Sequence, residues 1–207
     1  MALEWIEHAY DQGGTVQCTV ILGELEPGRE WCKAEAVRAG LDASTADVIV
    51  IADADCWSSF VEAAVDQLVG FPWAMPFKDV HRLSPEATSH ALQTGELNGK
   101  LQQRPYLGVP GGGMMVLPRE SYERVPLDPR FRGWGQEDEA WGAALGSVFG
   151  KGWRGSEPLW HLWHPPQARQ NRAVGSDASR HLRNLYLKAR RFPDQMDELL
   201  TVARATL

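Results

Sequence analysis

Two acidic residues and two histidines are the side chains in this sequence best suited to hold a divalent cation. Asp53 and Asp55 directly follow the apolar run at 47–52, and ligands of open α/β sheets bind beyond the carboxyl ends of the strands. If the extended geometry continues past the strand, residues two apart point the same way, so both carboxylates can face one cation. Such oxygen ligands suit Mg²⁺ or Mn²⁺, which offset the charge on a diphosphate leaving group.

The two histidines are His161 and His164 in the segment Trp-His-Leu-Trp-His. At a spacing of three residues, both imidazoles can share one face of a helical turn, and imidazole is a frequent ligand of transition metals. Each pattern taken alone also fits a purely structural role, as an acidic turn after a strand or as a hydrogen-bonded core histidine. Together the two pairs predict a metal site.

A third group of candidate residues lies at 131–139, Phe-Arg-Gly-Trp-Gly-Gln-Glu-Asp-Glu. Gly133 and Gly135 allow close approach of the backbone to a ligand, and Trp134 between them can stack on a sugar ring. The acids at 137–139 fall in the first turn of a predicted helix. One of them can act as a general base that takes the proton from an attacking hydroxyl. Acids at this place also complement the helix dipole without any catalytic role.

Alternating predicted helices and strands must position these residues, and this order favours an α/β sandwich. The continuous apolar run at 47–52 predicts a strand buried on both faces, as in a parallel sheet covered by helices. The other predicted strands are at 16–22, 71–80 and 114–117. The predicted helices are at 3–10, 30–41, 60–68, 137–149, 176–191 and 193–205, and the polar segment at 84–108 is expected to form a helix followed by a mobile loop. The glycine-containing segment at 95–108 is a candidate lid.

Composition narrows the class of protein. The formal net charge of −6 argues against a general nucleic-acid binder, which needs a basic face to neutralise phosphates. Three cysteines without a CxxC pair predict a reducing compartment rather than a disulfide framework. No apolar run is long enough to span a bilayer, and the acids at 1–8 do not fit a signal peptide. These features predict a cytoplasmic protein.

The acidic pair at 53–55, the glycine- and tryptophan-containing segment at 131–139 and the histidine pair at 161–164 follow one another along the chain. In this order, they resemble the motifs of the GT-A glycosyltransferases. The likeness is greatest to the group that contains β-1,4-galactosyltransferases, chondroitin-type polymerases and polypeptide N-acetylgalactosaminyltransferases. Trp-Cys-Lys-Ala from Trp31 through Asp55 is similar to the helix and strand before the family's DxD metal motif. Gly-Gly-Gly-Met-Met from Gly111 is similar to the strand lining the donor sugar, and Gly133-Trp-Gly-Gln-Glu-Asp is similar to the Trp-Gly-Gly-Glu-Asp acceptor motif.

The resemblance implies a role for each matching residue. Asp55 is the main carboxylate ligand of Mn²⁺ or Mg²⁺, and His164, either alone or together with His161, completes the metal site. Asp53 contacts the ribose or the metal. Asp138 matches the general base of inverting members, since retaining relatives carry Asn there. The implied donor- and acceptor-binding residues are Asp53, Gly112, Gly113, Trp134, Gly135 and Glu137.

The activity implied is transfer of a hexose or N-acetylhexosamine from a UDP-sugar to a hydroxyl of a glycan, a lipid-linked sugar or a protein, with inversion. The alternative is a non-catalytic sugar- or nucleotide-binding remnant of such an enzyme. The basic residues Arg169, Arg172 and Arg180 fit either a diphosphate site or a solvated helix face.

The fold implied is a Rossmann-like GT-A sandwich, a mostly parallel sheet with flanking helices, at 1–175. A C-terminal helical extension is predicted at 176–207. Family members begin with a strand ahead of the helix placed at 3–10, and nothing precedes that helix here. This leaves three alternatives: a truncated chain start, a pocket that is built differently, or impaired donor binding. Gln136 replaces the second glycine of the acceptor motif and is expected to narrow the acceptor pocket.

Overall fold

A computed structural model describes residues 18–165 and 177–207, which form seven helices and eight short strands. The helices are α1 (Lys33–Asp42), α2 (Val61–Gln67), α3 (Pro85–Thr94), α4 (Arg119–Arg124), α5 (Glu137–Phe149), α6 (Asp177–Ala189) and α7 (Pro193–Thr206). The strands are β1 (Val48–Ala52), β2 (Cys56–Trp57), β3 (Ala74–Met75), β4 (Asp79–Arg82), β5 (Tyr106–Leu107), β6 (Met114–Pro118), β7 (Trp153–Arg154) and β8 (Leu159–His161).

The strands form two four-stranded sheets, one in the order β1-β6-β3-β7 and the other in the order β2-β8-β4-β5. The α/β class is therefore confirmed, but the prediction of a mostly parallel sheet is wrong. Four of the six pairings are antiparallel, and only β3–β7 and β4–β8 are parallel. An apolar run predicts that a strand is buried, but it carries no information on the direction of the neighbouring strand.

Among residues 18–165 and 177–207, strand β1 pairs with β6 and lies at the edge of the first sheet. Ile49 and Ile51 are buried in the core, whereas Val48 and Val50 remain 36% and 39% exposed. The prediction of a strand buried on both faces is therefore wrong, because only one face of β1 packs on the core. The strand predicted at 16–22 is not formed over 18–22, the part of it that the structure describes.

Helix α5 begins and ends at the predicted residues, Glu137 and Phe149. Helix α1 begins three residues later than predicted, since Cys32 is still extended, with φ −143° and ψ 107°. Polar and glycine residues bound α3: the Ser84 hydroxyl accepts a hydrogen bond from Ala87 N, and Gly95 adopts a left-handed conformation. The helix predicted at 3–10 lies outside the described residues, as do Arg169 and Arg172.

The two C-terminal helices share the main core. Leu182 and Tyr186 of α6 and Leu200 of α7 belong to the same buried cluster as Ile49 and Ile51. A buried Asp128 accepts a hydrogen bond from the Tyr186 hydroxyl at 2.9 Å. The division of the chain at 175/176 stays a prediction. In the described ranges, every helix is too short or too polar to cross a bilayer.

Candidate active site

The chain turns sharply where β1 ends. Asp53 N donates to Gly113 O at 2.9 Å, and Cys56 N donates to Asp53 O at 2.9 Å, which closes a turn that leads directly into β2. The extended geometry therefore stops at Asp53. Asp53 and Asp55, which were expected to face one cation, contact different partners.

Asp53 belongs to an ammonium cluster made of Lys33, Asp53 and Asp138. Lys33 Nζ lies 2.9 Å from Asp53 Oδ1 and 2.9 Å from Asp138 Oδ1. The Lys33 side chain is only 12% exposed. Burial alone would lower the pKa of the Lys33 ammonium, but the two carboxylates outweigh it and raise this pKa above its usual value. A single lysine thus ties the end of β1 to the first turn of α5.

Two glycines let α5 approach the end of β1 this closely. A Cβ atom at Gly111, where φ is +96°, would lie 2.0 Å from the carbonyl oxygen of Asp138, a distance that real side chains do not reach. A Cβ atom at Gly112 would lie 3.2 Å from Asp138 Oδ2. Because Gly112 has no side chain, it leaves space beside the carboxylate oxygen that Lys33 does not hold.

The first turn of α5 carries a second unusual carboxyl group beside Asp138. Burial and, to a smaller extent, the Asp138 charge raise the pKa of Glu137 to about 7. Glu137 Oε2 has no hydrogen-bond partner among the described residues. Burial also raises the pKa of Asp138, whereas the Lys33 ammonium opposes that rise. Two neighbouring carboxyl groups thus sit in different electrostatic surroundings, an arrangement that separates an acid from a base.

Asp55 belongs to an imidazole cluster made of Asp55, His161 and His164. Asp55 Oδ2 lies 3.3 Å from His164 Nε2 and 3.6 Å from His161 Nε2. The two imidazole rings stack with their centroids 5.6 Å apart. The expectation that the histidines share a helical turn is wrong, because His161 ends β8 and His164 follows in irregular chain. The pairing of β8 with β2 aligns His161 with Cys56 and so places it beside Asp55.

The orientation of both imidazoles is set by backbone carbonyls. His161 Nδ1 lies 2.8 Å from Leu162 O, and His164 Nδ1 lies 2.9 Å from Pro165 O. A carbonyl oxygen only accepts, so each Nδ1 carries the proton, and in the neutral imidazole the Nε2 lone pair faces the carboxylate. Both lone pairs therefore face Asp55 Oδ2, an arrangement that a cation would stabilise. Among the described residues, the ligand atoms that lie close enough together for one ion are those of Asp55, Cys56 and His161, and His164 lies outside this group. Asp55, Cys56 and His161 fit a divalent transition metal, whose histidine ligands are commonly oriented by such carbonyls.

Three side chains in or beside the two clusters were not predicted from the sequence. Lys33 lies in the Trp-Cys-Lys-Ala segment used for the resemblance, but a lysine at a helix start carries no signal of its two partners. Cys56 donates from Sγ to Asp55 Oδ1 at 3.5 Å, and its Sγ lies within 4.8 Å of the ligand atoms of Asp55 and His161. Arg82 Nη1 donates to His161 Nε2 at 2.9 Å. Only the β4–β8 pairing brings Arg82 to this place.

The remaining predicted site residues lie around the start of α5. Trp134 is 55% exposed and stands between Gly133 and Gly135, whose φ angles are +75° and +91°. Gly133 N donates to Trp31 O at 2.8 Å, which places the tryptophan-bearing loop next to the start of α1. The sugar-binding roles of Trp134, Gly135, Gly112 and Gly113 stay predictions. Arg180 pairs with Asp177 on α6, as expected of a solvated helix face.

Comparison with known proteins gives a distant structural likeness. No known protein family matches this sequence, and no curated protein matches it. Among solved structures, the chain is similar to glucosyl-3-phosphoglycerate synthase from Mycobacterium tuberculosis, solved with Mn²⁺, UDP-glucose and phosphoglyceric acid. The identity is 21%, the match covers 81% of this chain and 56% of that chain, and the TM-score is 0.42. This chain thus spans little more than half of that protein, and a likeness at this level assigns no role to any residue.

Proposed function

We propose that this chain is a metal-dependent glycosyltransferase that moves a hexose or N-acetylhexosamine from a UDP-sugar to an acceptor hydroxyl, with inversion. One observation carries the proposal: Asp53 and Asp55, two residues apart, bring the ammonium cluster and the imidazole cluster to the same strand end. A base and a set of metal ligands are thus neighbours. The choice of UDP and of the sugar rests on the sequence resemblance alone.

The imidazole cluster would hold the divalent ion. Asp55 supplies a carboxylate and His164 and His161 supply imidazoles, a mixed set that suits Mn²⁺ better than Mg²⁺. His164 is the more accessible of the two histidines, since its side chain is 44% exposed against 11% for His161. When bound, the ion would offset the negative charge that builds up on the departing diphosphate.

Asp138 would serve as the general base. Lys33 holds Oδ1, so Oδ2 is left for the proton of the acceptor hydroxyl, on the side where Gly112 has no side chain. As the acceptor oxygen bonds to the anomeric carbon, the bond from that carbon to the diphosphate breaks and the proton passes to Oδ2. Glu137 and the exposed Trp134 would contact the sugars.

The test is a UDP-release assay across a panel of UDP-sugars, with and without Mn²⁺, in the presence of mixed glycan acceptors. The proposal requires release of UDP that depends on Mn²⁺ and on an acceptor. Failure of every donor to release UDP, with protein that binds UDP, would support the second candidate instead.

The second candidate is a non-catalytic sugar- or nucleotide-binding protein derived from such a transferase. The edge position of β1 favours it, because residues 18–22 form no strand beside β1 and Val48 and Val50 are left partly exposed. A nucleoside pocket that is built on a further strand beside β1 would therefore have a different shape in this chain. Binding of UDP without turnover distinguishes this candidate from the enzyme.

A further inference from the structure

We propose that Arg82 binds the diphosphate of the donor, and that a divalent cation frees Arg82 for this role by taking the lone pair of His161. This assignment rests on the proposed function. It adds a phosphate-binding residue that neither the sequence motifs nor the comparisons indicate, and it couples metal binding to donor binding.

Arg82 is held at the metal ligands by strand pairing. It is the last residue of β4 and is aligned with His161, the last residue of β8, in a parallel pair. Its Nη1 lies 2.9 Å from His161 Nε2, and its Nε donates to the Tyr106 hydroxyl at 3.0 Å. The guanidinium therefore stands at the edge of the imidazole cluster.

The contact with His161 uses the nitrogen that a metal needs. A guanidinium only donates, and His161 Nδ1 already donates to Leu162 O. His161 Nε2 must therefore accept from Arg82, and the same nitrogen lies 3.6 Å from Asp55 Oδ2. A cation bonded to Nε2 removes the acceptor of Arg82 and repels its charge, so binding of the cation requires the guanidinium to turn away.

Within the described part of the chain, Arg82 forms no ion pair with a carboxylate. Lys33, Arg130 and Arg132 each pair with at least one carboxylate, whereas the partners of Arg82 there are a neutral imidazole and a phenol. A guanidinium of this kind keeps its full charge for an anion, and its planar fork suits phosphate oxygens. Displaced from His161 but still close to the metal ligands, it would meet the diphosphate that the metal holds.

The proposal predicts that one variant, Arg82→Met, binds Mn²⁺ more tightly but binds UDP more weakly. Arg82→Met removes the competitor of the metal, so it should bind Mn²⁺ alone more tightly, by about threefold or more. It also removes a charge-assisted contact with phosphate, so it should bind UDP more weakly in saturating Mn²⁺, by about tenfold or more. Arg82→Lys keeps a charge without the fork and should weaken UDP binding by less.

The experiment measures free Mn²⁺ by electron paramagnetic resonance and UDP affinity by calorimetry, for the wild-type chain and both variants. Arg38→Met is the matched control, because Arg38 pairs with Asp42 on α1 and both side chains are more than half exposed. It should change neither affinity. Weaker Mn²⁺ binding by Arg82→Met, or unchanged UDP binding, would overturn the assignment of Arg82 while leaving the proposed function intact. Wild-type protein that binds neither Mn²⁺ nor UDP would overturn both.

Discussion

Asp53 and Asp55 are separated by one residue, yet the clusters that they join differ in kind. In the ammonium cluster, Lys33 already supplies a cation to both carboxylates at 2.9 Å. In the imidazole cluster, two imidazole nitrogens lie 3.3 and 3.6 Å from one carboxylate oxygen of Asp55. The first arrangement is balanced by the chain's own charge, whereas the second would gain stability from the proposed metal ion. The turn at Asp53 thus places the proposed base and the proposed metal ligands next to each other but in separate clusters.

This difference between the clusters predicts that loss of Asp138, the proposed base, abolishes sugar transfer but leaves UDP binding intact. Asp138→Asn keeps the shape of the side chain and a contact with Lys33, but the amide cannot take a proton. We expect transfer to fall by about 10³-fold, within the range of general base catalysis. The measurement is UDP release with Mn²⁺, alongside UDP affinity. Loss of UDP binding together with activity would show that Asp138 is a structural residue.

Changes in the imidazole cluster should act on metal binding instead. We expect His164→Ala to weaken Mn²⁺ binding by about tenfold or more, since even residues that only support a ligand commonly contribute that much. UDP binding should weaken only when Mn²⁺ is present. His90→Ala is the matched control, because His90 is exposed on α3 and contacts Glu96 there. Equal Mn²⁺ affinity in the two variants would remove His164 from the ligand set.

Removal of the Lys33 ammonium group from the ammonium cluster should lower the free energy of unfolding. Lys33→Met leaves Asp53 and Asp138 close together without a counter-charge. We expect a loss of about 2 kcal/mol in the free energy of unfolding, less than breaking a fully buried pair, because the carboxylates are 40% and 33% exposed. Thermal unfolding provides the measurement. The double variant Lys33→Met with Asp138→Asn should recover part of the loss, and a further loss would contradict this account.

The smallest predicted effect is a pH dependence from Glu137. Its pKa is raised from 4.5 to about 7 in the folded protein by burial and by Asp138, so its contribution to stability is full below pH 4.5 and is lost as the pH rises through 7. Glu137→Gln removes this loss. The variant should therefore gain stability over the wild type between pH 5 and pH 8, by about 1–2 kcal/mol at pH 8.

The matched control for Glu137 is Glu139→Gln, in the same turn but paired with Arg183 at the surface. Unfolding temperatures of both variants at pH 5 and pH 8, without added metal, provide the measurement. A gain at pH 8 in Glu139→Gln as large as in Glu137→Gln would show that the effect belongs to helix charge in general, not to the buried carboxyl group.

Prediction from sequence patterns was most accurate for features that depend on a single helix or strand. Helix α5 was predicted at both ends, since acidic residues fill its first turn and Gly150 follows its last residue. Strand β1 was predicted to within one residue of its start. The partial exposure of β1 was not predicted, because distant segments determine whether Val48 and Val50 are covered. The direction of β6 relative to β1 and β3 likewise depends on how the chain returns.

By itself, the sequence determined the mixed α/β class, helix α5 and strand β1, because these follow from short-range periodicity and end signals. Only the tertiary structure decided that Lys33 bridges Asp53 and Asp138, separated from it by 20 and 105 residues, and that Arg82 reaches His161. Contacts over such separations depend on strand pairing and on close approach at Gly111 and Gly112. The residues that flank Lys33 and Arg82 in the sequence give no indication of these long-range contacts.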